Sequence, residues 1–374
     1  MKKILLTIMS LVTVVASGYA QNWKMVITLS DGTQQELATS DVKQITYVEG
    51  ALPDKNVDQI IIKEIYNGGC MKDDGNKFQF DKCIILYNNC GEQAVANNVC
   101  FGMLDPANAH STNSSWRDEN GNLPYEAEGY LPAWNGIWWF QHPLVIEPYS
   151  QVVVNIHGAI DNTKTVSQSV NYANKDYYCM YDPEGGYTHS LYYPTPADEI
   201  PTSHYLKAKR IGLGSGWAYS VNSPATILFQ TQEMSPSEFA EDADRQVLNP
   251  KSPTQAFVCL KVPNEWVIDG VEVFSASYAT DSQKRLTDDI DGGYVFLTNY
   301  LGHSLYRNVD KQATEALPEN AGKLVYGYSL GVDGSTDPSG IDAEKSMKNG
   351  AHIVYLDTNN STSDFHERQK CSLR

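Results

Sequence analysis

The chain has 374 residues, 41% of them hydrophobic and 20% charged, and its 45 Asp and Glu outweigh 28 Lys and Arg to give a formal charge of −17. That balance excludes a nucleic-acid partner, because a phosphate backbone is held by clustered Lys and Arg. The 23 tyrosines, set among Asn, Gly and Thr, point to an all-β protein rather than a helical one.

Residues 1–20, MKKILLTIMSLVTVVASGYA, place two lysines ahead of an apolar run and end in small residues, the pattern of a secretory signal peptide. The run from Ile4 to Val15 is too short to span a bilayer, and the first cysteine is Cys70, so neither a membrane-spanning nor a lipid-anchored form is expected. The expected location is the cell envelope, in the periplasm or at the outer-membrane surface, or beyond it as a secreted protein. Residues 21–50 read as a small β-hairpin leader: a strand ending at Leu29, a turn at Asp31-Gly32, a polar stretch, and a second strand through Ile45 and Tyr47. It resembles a leader found ahead of many secreted Bacteroidetes proteins. Residues 51–56 read as a linker, and one domain is expected over 57–374.

From Ile60 onward, short apolar runs such as IIIKEIY, KCIILYN, PATILFQ and WVIDGVEVF alternate with Gly, Asn, Asp and Pro turns. Runs of this kind, rich in Val, Ile and Tyr, predict an antiparallel β-sandwich. A single helix is expected in SPSEFAEDADRQVL, with Ser235 as N-cap, Pro236 in the first turn, Glu238 closing a capping box, and Phe239, Ala243 and Val247 on one face. Asn249-Pro250 ends it. The stretches 107–136 and 161–201 are polar and loop-like, and they are the expected recognition surface.

GYSLG at 327–331 satisfies the G-x-S-x-G pattern of a serine hydrolase, with His352, Asp357 and His366 downstream as partners for Ser329. A nucleophile elbow needs a helix directly after the serine, and VDGSTDPSG is turn-forming. Ser329 is therefore expected at a strand end, and no catalytic residue is assigned. Glu64 interrupts an apolar strand. Strict alternation would put it on one face with Ile60, Ile62 and Tyr66, and the reading preferred to an acid catalyst is a carboxylate hydrogen-bonded to nearby amides.

The acidic loops 287–293 and 331–344 carry oxygens of the kind calcium takes, without the fixed spacing of an EF-hand, and solvated carboxylates are the plainer expectation. No metal or other cofactor is assigned. Trp134, Trp138 and Trp139 form either a stacking platform for sugar rings or a core-closing loop. Together with Tyr181, Tyr187 and Tyr192 of the second long loop, Trp134 and Trp138 make up the expected aromatic binding surface. Of the seven cysteines, Cys70, Cys83, Cys90 and Cys100 fall close together without the spacing of a zinc site, leaving disulfides and buried thiols both open.

IIIKEIYNGG, CIILYNN and PLVIEPYSQVVV resemble, in order, the opening strands of lamin-tail-type immunoglobulin-like domains. VPNEWVIDGVEV, RLTDDIDGGYVFL and YLDTNNSTSDFHE are similar to a narrower secreted Bacteroidetes family of unknown function within that group. The resemblance covers residues 57–374. Its most specific piece, DTNNSTSDF, makes Asp357, Asn359, Asn360, Asp364 and Phe365, with Glu64, the structural motif. The chain departs from the family pattern at Ile85, where a glutamate is usual, at Tyr149, where a glycine is usual, and at Gly331, in place of an arginine after Ser329-Leu330. What the resemblance implies is a non-enzymatic binding protein of the cell envelope, docking with an outer-membrane or cell-surface protein such as a TonB-dependent transporter in nutrient capture, or binding an extracellular ligand. An adhesive or structural envelope role and a serine hydrolase using Ser329 are the alternatives.

Overall fold

In the computed structural model residues 24–28, 33–41 and 52–374 are described, and the expected signal segment lies outside them. The chain divides into two compact units, residues 1–51 and 52–374. In the first unit, Lys24–Thr28 pairs antiparallel with Gln34–Ala38, and Lys24 Nζ reaches Glu36 Oε2 at 2.6 Å. The second strand is thus the stretch that reads as polar, while Ile45 and Tyr47 fall outside the described residues. Backbone pairing holds an exposed strand without an apolar run, and every residue of Gln34–Ala38 is exposed.

The second unit is built on two open six-stranded sheets. The first runs in the order Lys207–Arg210, Gly136–Trp139, Val99–Met103, Ala225–Gln230, Val267–Ser275, Val295–Leu297. The second runs Tyr178–Cys179, Gln151–His157, Lys82–Asn88, Ile60–Tyr66, Ser304–Arg307, Phe365–Arg368. Between them Ile60, Ile62, Ile65, Ile84 and Leu86 meet Phe101, Met103, Leu228, Val271 and Val273 in one apolar layer. Each such side chain contributes about 1.5–3 kcal/mol on burial. A third sheet, Gln246–Leu248, Val258–Pro263 and Tyr130–Trp134, covers the other face of the first sheet, with Leu131, Leu260 and Val262 against Ile137, Ile227 and Phe229. The outer face of the second sheet is covered too, by Ile341, Ile353 and Tyr355 over Ile61, Tyr87 and Tyr306. Ile60–Tyr66 is therefore buried along its whole length, which is why it reads as a nearly continuous apolar run. The fold is all-β, as expected.

Three local expectations change. The pairing of Ile60–Tyr66 with Lys82–Asn88 shifts register between Ile62 and Glu64. This bulge at Lys63 inverts the alternation, so that Ile60, Ile62 and Ile65 face the core between the sheets while Ile61 and Tyr66 face outward. The helix after Ser235 has its full capping box but stops at Glu241, and Ala243, expected on its buried face, is exposed. The chain then turns into the strand Gln246–Leu248, because pairing with Val258–Pro263 outweighs one more helical turn. Further short helices form at Pro124–Glu128, Lys311–Ala316, Ala343–Lys348 and Ser361–Asp364, the last three capped by Asp310, Asp342 and Asn360. They are too short to show a helical period in sequence.

Arg307 ties these layers together. It is almost fully buried; Nε donates to Ile62 O at 2.8 Å, Nη2 to Asp269 Oδ2 at 2.5 Å, and Nη1 to Leu356 O and Asp357 Oδ1 at 2.9 and 3.0 Å. Asp364 Oδ2 lies 3.7 Å from Nη1, and the guanidinium stands over the Phe365 ring at 4.7 Å. Asp364 also accepts from Thr358 N and Oγ1, both at 2.8 Å, Asn359 takes a left-handed φ of 52°, and Asn360 caps the helix Ser361–Asp364. The DTNNSTSDF motif is thus the receptor for Arg307. Ser304-Leu305-Tyr306-Arg307 itself reads S-L-x-R, on a strand of the second sheet.

Replacing one partner of a buried ion pair strands the others. Arg307→Met leaves Asp269 and Asp364 buried without their cation and is expected to cost about 3–5 kcal/mol, read as a lower urea midpoint. A variant as stable as wild type would show that the three carboxylates do not depend on it.

Candidate functional site

The expected aromatic surface is largely interior. Trp138 is fully buried in the core between the sheets and stacks on Tyr187, itself 3% exposed, at 5.3 Å. Tyr187 Oη donates to Asn135 O at 2.7 Å. Tyr192 is half-buried, stacked on His157 at 4.2 Å and His189 at 4.1 Å. Trp134 is half-buried, donating Nε1 to Ala256 O at 2.9 Å, and Tyr181 packs edge-on against Tyr205. Trp138 and Tyr187 are thus withdrawn as surface binding residues: Trp138 pairs into the first sheet and Tyr187 folds back onto it. The stretch 107–136 is likewise not one loop, since it contains the helix Pro124–Glu128 and the strand Tyr130–Trp134.

Ser329 is exposed in an irregular segment, with no strand before it and no helix after it. It is not a strand end either; Gly331 makes an isolated bridge to Arg368. His366 is held elsewhere. Its Nδ1 lies 2.7 Å from Asn308 Oδ1, and its Nε2 lies 2.6 Å from Tyr328 Oη. Because Asn308 Nδ2 donates to Ser363 O, its Oδ1 is the acceptor, so His366 donates from Nδ1 and accepts at Nε2. Burial first, then the nearby Arg368, push this imidazole down to about 3.

Glu64 is fully buried and accepts from Ser304 Oγ at 2.6 Å, from Ser372 N at 2.9 Å and from Ser372 Oγ. Its cross-strand neighbour is Ile85, the position where the resembled family carries glutamate. In the acidic loops, Asp291 accepts from Gly293 N, Glu272 N and Ser361 N and Oγ, while Asp337 accepts from Val309 N and Ser339 N. These carboxylates fasten loops from inside. All seven cysteines are thiols, and Cys70, Cys83 and Cys100 are buried.

The feature that faces solvent with recognition chemistry joins one end of the stretch 107–136, expected as a recognition surface, to residues 278–283, which the sequence did not single out. A buried salt bridge lies close to it, linked to His110 through Ser223, whose O accepts from Arg285 and whose Oγ lies 3.5 Å from His110 Nδ1. Glu272, on the strand Val267–Ser275, receives Arg285 Nε and Nη2 on Oε1 at 2.9 and 2.5 Å and the amides of Arg285 and Leu286 on Oε2. Arg285 also donates to Pro106 O at 2.6 Å and Ser223 O at 2.8 Å, drawing three segments to one point. Beside it, a short turn at Ala276–Tyr278 and residues 279–283 meet the segment 109–112 around an open hollow of about 570 Å³. Its lining includes Tyr278, Thr280, Asp281, Ser282 and Gln283 with His110. Tyr278 is 42% exposed and stacks on His110 at 4.0 Å, leaving a ring face beside hydroxyl, amide and carboxylate groups. Burial, and then Arg285, lower the His110 imidazole, with Asp281 opposing. Gln283 Oε1 has no hydrogen-bond partner among the described residues. In sequence, the signals were the stretch 107–136 and a polar interval holding one tyrosine between two apolar strands.

The family described as a protein of unknown function (DUF4876) matches residues 147–326, and no curated protein matches the chain. That segment contains Glu272, Tyr278 and Arg285 and stops before Asp357. A crystal structure of a DUF4876 family protein from Bacteroides thetaiotaomicron VPI-5482 superposes with a TM-score of 0.55 at 17% identity, covering 91% of this chain and 80% of that one. At that identity the likeness is one of fold. The two comparisons agree, and they support the resemblance to a Bacteroidetes family of unknown function. Among the described residues, no helix is long and apolar enough to cross a membrane.

His366 yields a pH prediction. Its folded value, about 3, lies below the unfolded value near 6.5, so stability is complete above pH 6.5 and is lost as pH falls toward 3. The slope is at most about 1.4 kcal/mol per pH unit. In urea melts, the stability gap between wild type and His366→Gln is expected to narrow by about 2 kcal/mol from pH 7 to pH 5. An unchanged gap would mean that His366 titrates alike in both states.

Proposed function

We propose that this is a non-enzymatic binding protein of the cell envelope that captures a hydroxyl-rich ligand, an oligosaccharide, at the His110–Tyr278 hollow and docks with a TonB-dependent outer-membrane transporter. The sandwich is read as an immunoglobulin-like domain of the lamin-tail type, and the segment 1–20 as the export signal. The observation that carries the binding reading is the exposed Tyr278 ring braced on His110 beside Thr280, Asp281, Ser282 and Gln283. A flat aromatic face accepts the apolar face of a sugar, and the polar rim supplies both donors and acceptors for its hydroxyls. The nearby Glu272–Arg285 pair keeps that geometry fixed before a ligand arrives, which lowers the ordering cost of binding. The exposed, unpartnered setting of Ser329 supports a role other than hydrolysis.

Calorimetric titration with a panel of defined neutral oligosaccharides is expected to find a ligand whose affinity falls at least about tenfold in Tyr278→Ala, the equivalent of ~1.4 kcal/mol. A ligand bound equally by both proteins would sink the hollow as its site. In-cell cross-linking of the tagged protein in native envelopes is expected to recover an outer-membrane transporter. Recovery of polysaccharide or surface-layer material alone would replace nutrient capture with adhesion.

A further inference from the structure

The edge strand of the first sheet turns aromatic rings to solvent. Along Val295–Leu297, Val295 and Leu297 are buried in the core between the sheets, so alternation points Phe296, and Tyr294 just before the strand, the other way. They are 40% and 39% exposed. An outward position on an edge strand ordinarily carries a polar or charged group, which keeps the edge from sticking to other chains. Here two rings are ordered instead. Tyr294 stacks on Phe274, 4.2 Å away at an interplanar angle of 14°, and Phe296 stands at 80° to Tyr294 with 5.4 Å between centroids. The pair forms a corner: a flat ring backed by the buried Phe274, and a second ring as its wall. Thr362 anchors it, since its Oγ1 accepts from Tyr294 N at 3.1 Å and donates to Tyr294 O at 2.8 Å.

We propose that this corner is a second sugar-binding subsite, and that the ligand of the His110–Tyr278 hollow is an oligosaccharide chain long enough to lie across both; this rests on the reading of that hollow as an oligosaccharide site. Phe274 and Tyr278 are four residues apart, so their Cα atoms are separated by at most about 14 Å. Residues 276–280 are all exposed, so this stretch leaves the way from corner to hollow open. Phe274 also shares the side of its strand with Glu272, whose partner Arg285 donates to Ser223 beside His110. The two aromatic sites are therefore neighbours on one stretch of surface.

The surface suits a sugar better than a protein partner. Each ring is already covered over more than half its area, and two such rings offer far less than the roughly 800 Å² that each side of a stable protein–protein interface buries. A sugar ring presents C–H groups on one face and hydroxyls around its rim, and the C–H groups, which carry partial positive charge, settle on the negative face of an aromatic ring. Because Phe274 and Thr362 hold the corner before a ligand arrives, little side-chain freedom is lost on binding. A chain already bound at the hollow brings its far end to the corner at high effective concentration, so that even a weak second contact raises affinity.

The test is calorimetric titration of the full chain with gluco-, xylo- and manno-oligosaccharides, each from disaccharide to hexasaccharide. In the series that binds, affinity is expected to rise with length in wild type. Tyr294→Ala and Phe296→Ala are each expected to lose about fivefold for the hexasaccharide while holding the shortest ligand as wild type does, whereas Tyr278→Ala weakens every member. The shortest ligand thus checks that a variant is folded with its hollow intact. Affinity independent of length, or a length dependence that both variants keep, would overturn the second subsite and leave the hollow standing. So would a variant with the urea midpoint of wild type that weakens short and long ligands alike. Absence of binding in all three series would remove the sugar reading of the hollow and this proposal with it. Loss of the transporter cross-link in Phe296→Ala, with hexasaccharide affinity unchanged, would assign the corner to a protein partner instead.

Discussion

The guanidinium of Arg307 is the joint on which the architecture depends. It stands on the second sheet, binds Asp269 of the first, and receives the chain around Asp357 and Asp364, so one planar cation is common to three parts of the fold. Asp269 completes the joint by accepting from Ile62 N at 2.6 Å, a hydrogen bond from one sheet to the other. Burial raises the Asp269 carboxyl, to about 7, and the Arg307 charge opposes that rise. Arginine suits the position because its donors point outward in a fixed plane, which a lysine ammonium cannot reproduce.

One strand distributes two of the carboxylates that organise the molecule. On Val267–Ser275, Asp269 shares the parity of Val271 and Val273 and turns toward the second sheet, whereas Glu272 turns the other way to hold Arg285. The joint between the sheets and the Glu272–Arg285 pair are therefore on opposite faces of a single element. The candidate hollow sits in loops, but those loops lie next to buried polar contacts, the arrangement that lets a loop keep a defined shape.

Sequence made the outline legible. Turn-bounded apolar runs gave the all-β class, and Ser235-Pro236 with Glu238 gave a capped helix start, because both signals are local. What sequence could not show depended on distant partners. The bulge at Lys63 is a matter of register with Lys82–Asn88, so strict alternation misplaced Glu64. The tryptophans and tyrosines look alike whether a ring faces solvent or core, so Trp138 and Tyr187 were assigned to a surface they do not reach. The hollow at Tyr278 stayed hidden because its lining comes from residues near 110 and near 280, joined through Arg285. The DTNNSTSDF motif was taken as structural without a partner, since only the fold reveals that Asp357 and Asp364 meet Arg307.

The seating of Glu64 carries a consequence for how the protein comes into being. Its amide donor, Ser372, lies 308 positions farther along the chain, and the strand it belongs to is flanked by Ser304–Arg307. A nascent chain emerging from its amino end thus presents the central strand of the second sheet long before the groups that hydrogen-bond its buried carboxylate exist. Pairings of such separation are slow. The second sheet is completed only once the chain has been made as far as Ser372, and until then the growing polypeptide stays open to whatever machinery handles unfolded chains.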